Sequence, residues 1–127
     1  MTVSDRSTGQ DAEALRLMRA SQLLGLRYHT ALGLVLAGKL QGVQSNGRWF
    51  VSASSVEKER VARIHAVAEE YGIASGHELL AKCLNDSACT VPQARDEFEI
   101  HALEQRRELK LARQAVAEYH AANGGRR

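Results

Sequence analysis

ASQLLGLRYHTALGLVLAGKL (residues 20–40) followed by QGVQSNGRWFVSASSVE (41–57) is the stretch whose reading decides the fold. Ala20, Leu23 and Leu24 recur at helical spacing, Gly25-Leu26 interrupts them, and Ala31, Leu34 and Val35 resume the pattern until Gly38, a residue suited to the left-handed turn that ends a helix. Two short helices joined by a tight turn are predicted. Gly42-Val43-Gln44 and Arg48 to Val51 then flank Ser45-Asn46-Gly47, and Asn-Gly between two such runs is the strongest local signal for a hairpin. Trp49 is expected to pack beneath that hairpin and Leu40 to plug the core where it starts, with Asn46 and Arg48 projecting from the tip.

Beyond the hairpin, Ser54 or Ser55 is the expected cap of a long helix with Val56, Val61, Ile64, Val67, Ala68 and Tyr71 inward and Gly72 as its stop. Ser75 to Glu78 reads as a capping box opening a helix through Leu79, Leu80 and Cys83, and Pro92 suits the first turn of a last helix running to about Ala122. The expected organisation is a mobile tail over 1–14, a module over 15–72, a helical extension over 73–122 and a short tail over 123–127.

Charge is unevenly spread along this frame. From Leu15 to Val56 there is no acidic residue, while Arg16, Arg19, Arg27, Lys39 and Arg48 make the window +5 in a chain of net charge +2, so the remainder is −3. Segregated positive charge is the footprint of a phosphate-facing surface. The longest apolar run, Ala31 to Ala37, falls far short of the roughly 18 residues that span a bilayer, and the polar N-terminus carries no apolar leader, so a cytoplasmic protein is expected. Cys83 and Cys89 form no CxxC or Cys/His metal spacing and are expected to stay reduced.

Other chemistry finds little support. Gly33 to Lys39 fits G-x-x-x-x-G-K, yet a phosphate loop needs a preceding strand and a Ser or Thr after the lysine, whereas this run lies in a helical pattern and Leu40 follows. His65, His77, His101 and His120 have no metal spacing, and no serine or cysteine occupies a nucleophile turn. No catalytic residue, metal or cofactor is expected.

The order helix, turn, helix, hairpin, helix between Met18 and Tyr71 resembles the winged helix-turn-helix of phage excisionases and the related MerR-type DNA-binding domain. Leu24-Gly25 matches that family's turn, Gly38-Lys39-Leu40 its G-[EK]-L, and Gly47-Arg48-Trp49 the G-R-W of its wing, over about 45 of the 127 residues. The resemblance implies that the second helix enters the major groove and the wing follows a phosphate backbone or the minor groove. It assigns DNA contacts to Arg27, Tyr28, His29 and Thr30 at the start of that helix, with Arg27 on a guanine edge and Thr30 on a phosphate. Asn46 and Arg48 serve in the wing, and Arg19 and Lys39 complete the basic set. The sequence departs from the family at Gly33 and Leu36, where Arg or Lys is usual, and at Leu32, which replaces a large aromatic.

In the C-terminal third, Phe98, Ala102, Gln105, Leu109, Ala112, Val116 and Tyr119 step by alternating fours and threes, the rhythm of a coiled-coil seam. Pairing between chains and docking on the same chain both fit, because Ile100, Leu103 and Leu111 form a neighbouring stripe. The reading is a mainly α protein with a small β-hairpin wing, a winged helix-turn-helix followed by a helical C-terminal extension. It would bind specific double-stranded DNA as a phage or mobile-element regulator, either an excisionase-like architectural factor beside a recombinase or a transcription regulator, and act as a homodimer or higher oligomer. The alternatives are the DNA-recognition small subunit of a phage terminase and a protein-interaction adaptor that retains the fold.

Overall fold

The structure, a computed structural model, describes residues 13–123; the expected tails over 1–12 and 124–127 lie outside them. Strand β1 (Ala14–Arg16) leads into α1 (Leu17–Leu24) and α2 (Tyr28–Leu36), then β2 (Gly42–Ser45) and β3 (Arg48–Ser52), and the chain closes with α3 (Ala53–Glu70), α4 (Glu78–Asn85) and α5 (Val91–Asn123). The protein is mainly helical with one small antiparallel sheet of order β1-β3-β2. No described helix is long and apolar enough to cross a membrane.

β1 corrects the expectation of a tail up to residue 14. Ala14, Leu15 and Arg16 pair with Ser52, Val51 and Phe50, and the Ala53 N–H donates to the Glu13 carbonyl at 2.7 Å. The hairpin turn is made by Asn46 and Gly47 alone, at φ 52° and 77°, the left-handed pair that a two-residue type I′ turn requires. Side chains on β3 alternate between faces: Val51 is buried, Trp49 packs half-buried against the same core, and Phe50 lies on the opposite face between Arg16 and Val43.

Three helices end in the same way. Leu26, Lys39 and Ile73 N–H groups reach back to the carbonyls of Ser21, Leu34 and Ala68, while Gly25, Gly38 and Gly72 bond to Gln22, Val35 and Glu69, the double closure of a Schellman motif. The starts differ from expectation. Ser52, rather than Ser54 or Ser55, caps α3 by accepting from the Ser55 N–H, because β3 runs straight into the helix. His77, rather than Ser75, caps α4 through Nδ1, and Thr90 and Gln93 form a reciprocal capping box ahead of α5.

Two apolar clusters form, and α3 serves both. Val56 joins Leu17, Leu24, Ala31, Leu40 and Val51, whereas Ile64, Val67 and Ala68 join Leu80, Cys83, Val91 and Phe98. A boundary at 72 therefore does not separate two cores. Between Val56 and Ile64 on the same face sits Arg60, 0% exposed. Its Nε and Nη2 donate to both oxygens of Glu57, Nη1 to the carbonyls of Cys83 and Cys89, and Nη2 to that of Leu84. All five guanidinium donors are thus used, three of them on carbonyls at and beyond the end of α4, which the helix itself leaves unpaired. Glu57 holds the Arg60 pKa above its ordinary value. Cys83 and Cys89 are free and buried, and burial pushes the Cys83 thiol up to about 11.

Arg60→Ala would orphan three carbonyls and is expected to cost about 3–5 kcal/mol in denaturant unfolding. Arg63→Ala, which breaks only the half-exposed pair with Glu59 at 2.8 Å, should cost under about 1 kcal/mol. Equal losses would show that Arg60 does not anchor the fold.

Candidate nucleic-acid interface

Both short helices begin on arginine. Arg16 is the N-cap of α1 and Arg27 that of α2, each with extended backbone and no side-chain capping bond. Ser, Thr, Asn or Asp would cover the first-turn N–H groups; arginine leaves them open and adds a cation beside the positive end of the helix. With no acidic residue in the first turn of either helix, the combination suits an approaching anion.

α2 is held by one side and bare on the other. Ala31 is buried, and Tyr28, Leu32, Leu34 and Val35 pack half-buried on the first cluster, while His29, Thr30, Gly33 and Leu36 face solvent. A Cβ at Gly33 would meet nothing within 4 Å, and Leu36 is 71% exposed. The outer surface of α2 therefore offers its polar groups at the N-terminal end and an unobstructed, apolar stretch after them. The hairpin is locked to α2 at its base, where a Cβ on Gly42 would lie 2.9 Å from Val35 Cγ1.

Among the residues anticipated to touch DNA, Arg19, Arg27, His29, Thr30, Lys39, Asn46 and Arg48 are exposed. Tyr28 is half-buried with its ring edge-on to His29 at 6.3 Å, so it divides itself between core and surface. Lys39 lies past the far end of α2 from Arg27 and lines a cleft with Gln41, Ser54 and Lys58. Lys58 falls outside the acid-free window, and only the fold brings it beside Lys39.

The electrostatics divide the molecule. Among the described residues the ion pairs are Glu57–Arg60, Glu59–Arg63 and Glu70–Arg95, all within or between α3 and α5. Arg16, Arg19, Arg27, Lys39 and Arg48 enter none of them. These five exposed cations thus have no ion-pair partner among the described residues, and unpaired positive charge of this kind suits a polyanion.

The expected seam on α5 needs one correction. Phe98 is 0% exposed within the second cluster, so it belongs to the chain's own core. Ala102 is half-buried, Gln105 and Arg106 still flank the turn between α3 and α4, and beyond them the helix leaves the body of the protein, with Leu109, Ala112, Val116 and Tyr119 exposed. Among the described residues no three His, Cys, Asp or Glu side chains assemble as a metal site.

Comparison with protein-family models, with curated proteins and with solved structures gives no match to this chain.

The α1–α2 pair is seated on α5 through Gly25, whose φ is 71° and whose added Cβ would lie 2.6 Å from Pro92 Cγ. Gly25→Ala combines left-handed strain with overpacking against a rigid ring, and is expected to lower stability by about 2–4 kcal/mol in a denaturant titration. An unchanged midpoint would mean that the turn and α5 are not in contact.

Proposed function

We propose that this chain is a double-stranded DNA-binding protein of winged helix-turn-helix type, a regulator of the phage or mobile-element kind. The observation that carries the proposal is the set of exposed cations Arg16, Arg19, Arg27, Lys39 and Arg48, without ion-pair partners among the described residues, on a strand, helix pair and hairpin that hold no acidic residue from Leu15 to Val56. In this reading α2, at 9 residues about 13 Å long, enters the major groove, about 12 Å wide. Arg27 addresses a guanine edge and Thr30 a phosphate. The hairpin tip sets Arg48 and Asn46 against the backbone or the minor groove, and Arg19 and Lys39 neutralise further phosphates. Gly33 lets the helix backbone come close to the bases, and Leu36 suits the methyl group of thymine.

Exposed apolar side chains on α2 and on β2 support a second reading. Leu36, 71% exposed, and Val43, 64% exposed, would serve an adaptor that docks protein rather than DNA. Binding to random duplex DNA at increasing salt separates the two. A DNA-binding module shows log K falling with log salt at about 0.9 per phosphate neutralised, and Arg27→Ala and Arg48→Ala each weaken binding, Arg27→Ala by about 1–3 kcal/mol if it reads a base, without loss of helicity. No binding at low salt overturns the DNA reading in favour of the adaptor.

The free part of α5 supports pairing of two chains through Leu109, Ala112, Val116 and Tyr119, which would join two DNA modules and raise avidity by about 10²–10⁴ where geometry permits. Light scattering on the full chain at tens of micromolar is expected to give a dimer or higher oligomer. A chain ending at Gln105, which keeps Phe98 in its core, should be a folded monomer with weaker DNA binding. A full-length monomer would overturn the pairing.

A further inference from the structure

A cleft of about 600 Å³ opens between the end of α3, the turn into α4 and the middle of α5. Tyr71, Ile73, His77, His101, Ala102 and Arg106 line it, none of them on the helix pair or the hairpin. Volumes of about 300–1,000 Å³ are usual for small-molecule sites.

The capping role of His77 fixes the chemistry on one wall. Its Nδ1 accepts a hydrogen bond from the Leu79 N–H at 3.0 Å, and a ring nitrogen that accepts carries no proton. The proton of the neutral ring is then on Nε2, so His77 has a donor to offer and no lone pair for a metal. The His101 ring meets it edge to face, with centroids 4.8 Å apart and planes at 76°. Among the described residues neither His77 Nε2, His101 nor Arg106 has a hydrogen-bond or ion-pair partner. The one carboxylate on the cleft, Glu70, is already held by Arg95 at 2.8 Å. Ile73, 7% exposed, and the half-buried Tyr71 and Ala102 supply apolar surface beside these donors.

Unspent donors, one unneutralised cation and an adjoining apolar wall describe a site for an anion with a hydrocarbon body. We propose that this cleft binds small organic carboxylates, the carboxylate received by His77 Nε2–H, His101 and Arg106 and the apolar part resting on Ile73, Tyr71 and Ala102. Inorganic phosphate would satisfy the donors without the wall, and a neutral alcohol the wall without the donors.

The test is an NMR titration of the full chain with octanoate, octanol and inorganic phosphate, following the His77 and His101 ring signals. Octanoate is expected to shift both rings and to bind about tenfold or more tightly than either of the other probes, the difference one charge-assisted hydrogen bond supplies. Arg106→Gln, on an exposed side chain without protein partners, should weaken octanoate by a similar factor while leaving the fold unchanged. His101→Phe, which keeps an aromatic ring against His77, should weaken it as well. Octanol binding as well as octanoate, an unaltered affinity in Arg106→Gln, or no shift of either ring overturns the proposal. Because the cleft shares no residue with the α1–α2 pair or the hairpin, these outcomes are independent of DNA binding.

Discussion

The buried guanidinium of Arg60 is the constraint from which the rest of the architecture follows. A charge removed from water costs several kcal/mol unless every donor finds an acceptor, and here each of the five does. Meeting that condition requires the carbonyls of Cys83, Leu84 and Cys89 to converge on one side chain of α3, which fixes the end of α4 and the loop after it. The loop in turn delivers Thr90 and Gln93 to start α5, and places Pro92 against Gly25. The position of the α1–α2 turn is thereby tied to a side chain that belongs to neither helix.

Much of this was legible in the chain because local rules decided it. The Asn46-Gly47 turn was readable since few residue pairs accept two positive φ angles in succession, and the helix stops were readable because Gly25, Gly38 and Gly72 mark left-handed closures. What escaped was non-local. β1 is three residues long and carries no period of its own; its order comes from pairing with Phe50 to Ser52 in a strand more than thirty positions away. The caps fall at Ser52 and His77 rather than at Ser54 or Ser55 and Ser75, since which of several polar side chains reaches back to an N–H is settled by the path of the preceding chain. Arg60 is spaced four residues from both Val56 and Ile64, which puts it on the inward face, but nothing local to the sequence supplies the carbonyls that make a buried arginine tolerable there.

For the candidate sites the division is similar. The exposed cations were evident from the absence of acid between Leu15 and Val56, and the fold adds that they have no ion-pair partners among the described residues. Phe98 shares its four-three step with the exposed positions after it, because helices that pair between chains and helices that dock on their own domain have that step in common; burial alone tells them apart. His77 and His101 stand 24 positions apart on different helices, so their edge-to-face contact leaves no trace in sequence spacing.

α5 is also a mechanical element. Of its 33 residues, the first stretch through Ala102 is seated on the second cluster, and the remainder extends about 30 Å beyond it. A rod held over its first stretch and free over the rest bends about the edge of the held part, next to Ala102, which leaves the first turn, where Pro92 meets Gly25, on the anchored side. A sideways load near Tyr119 therefore falls first on the second cluster, which stands between the free stretch and the turn joining α1 to α2.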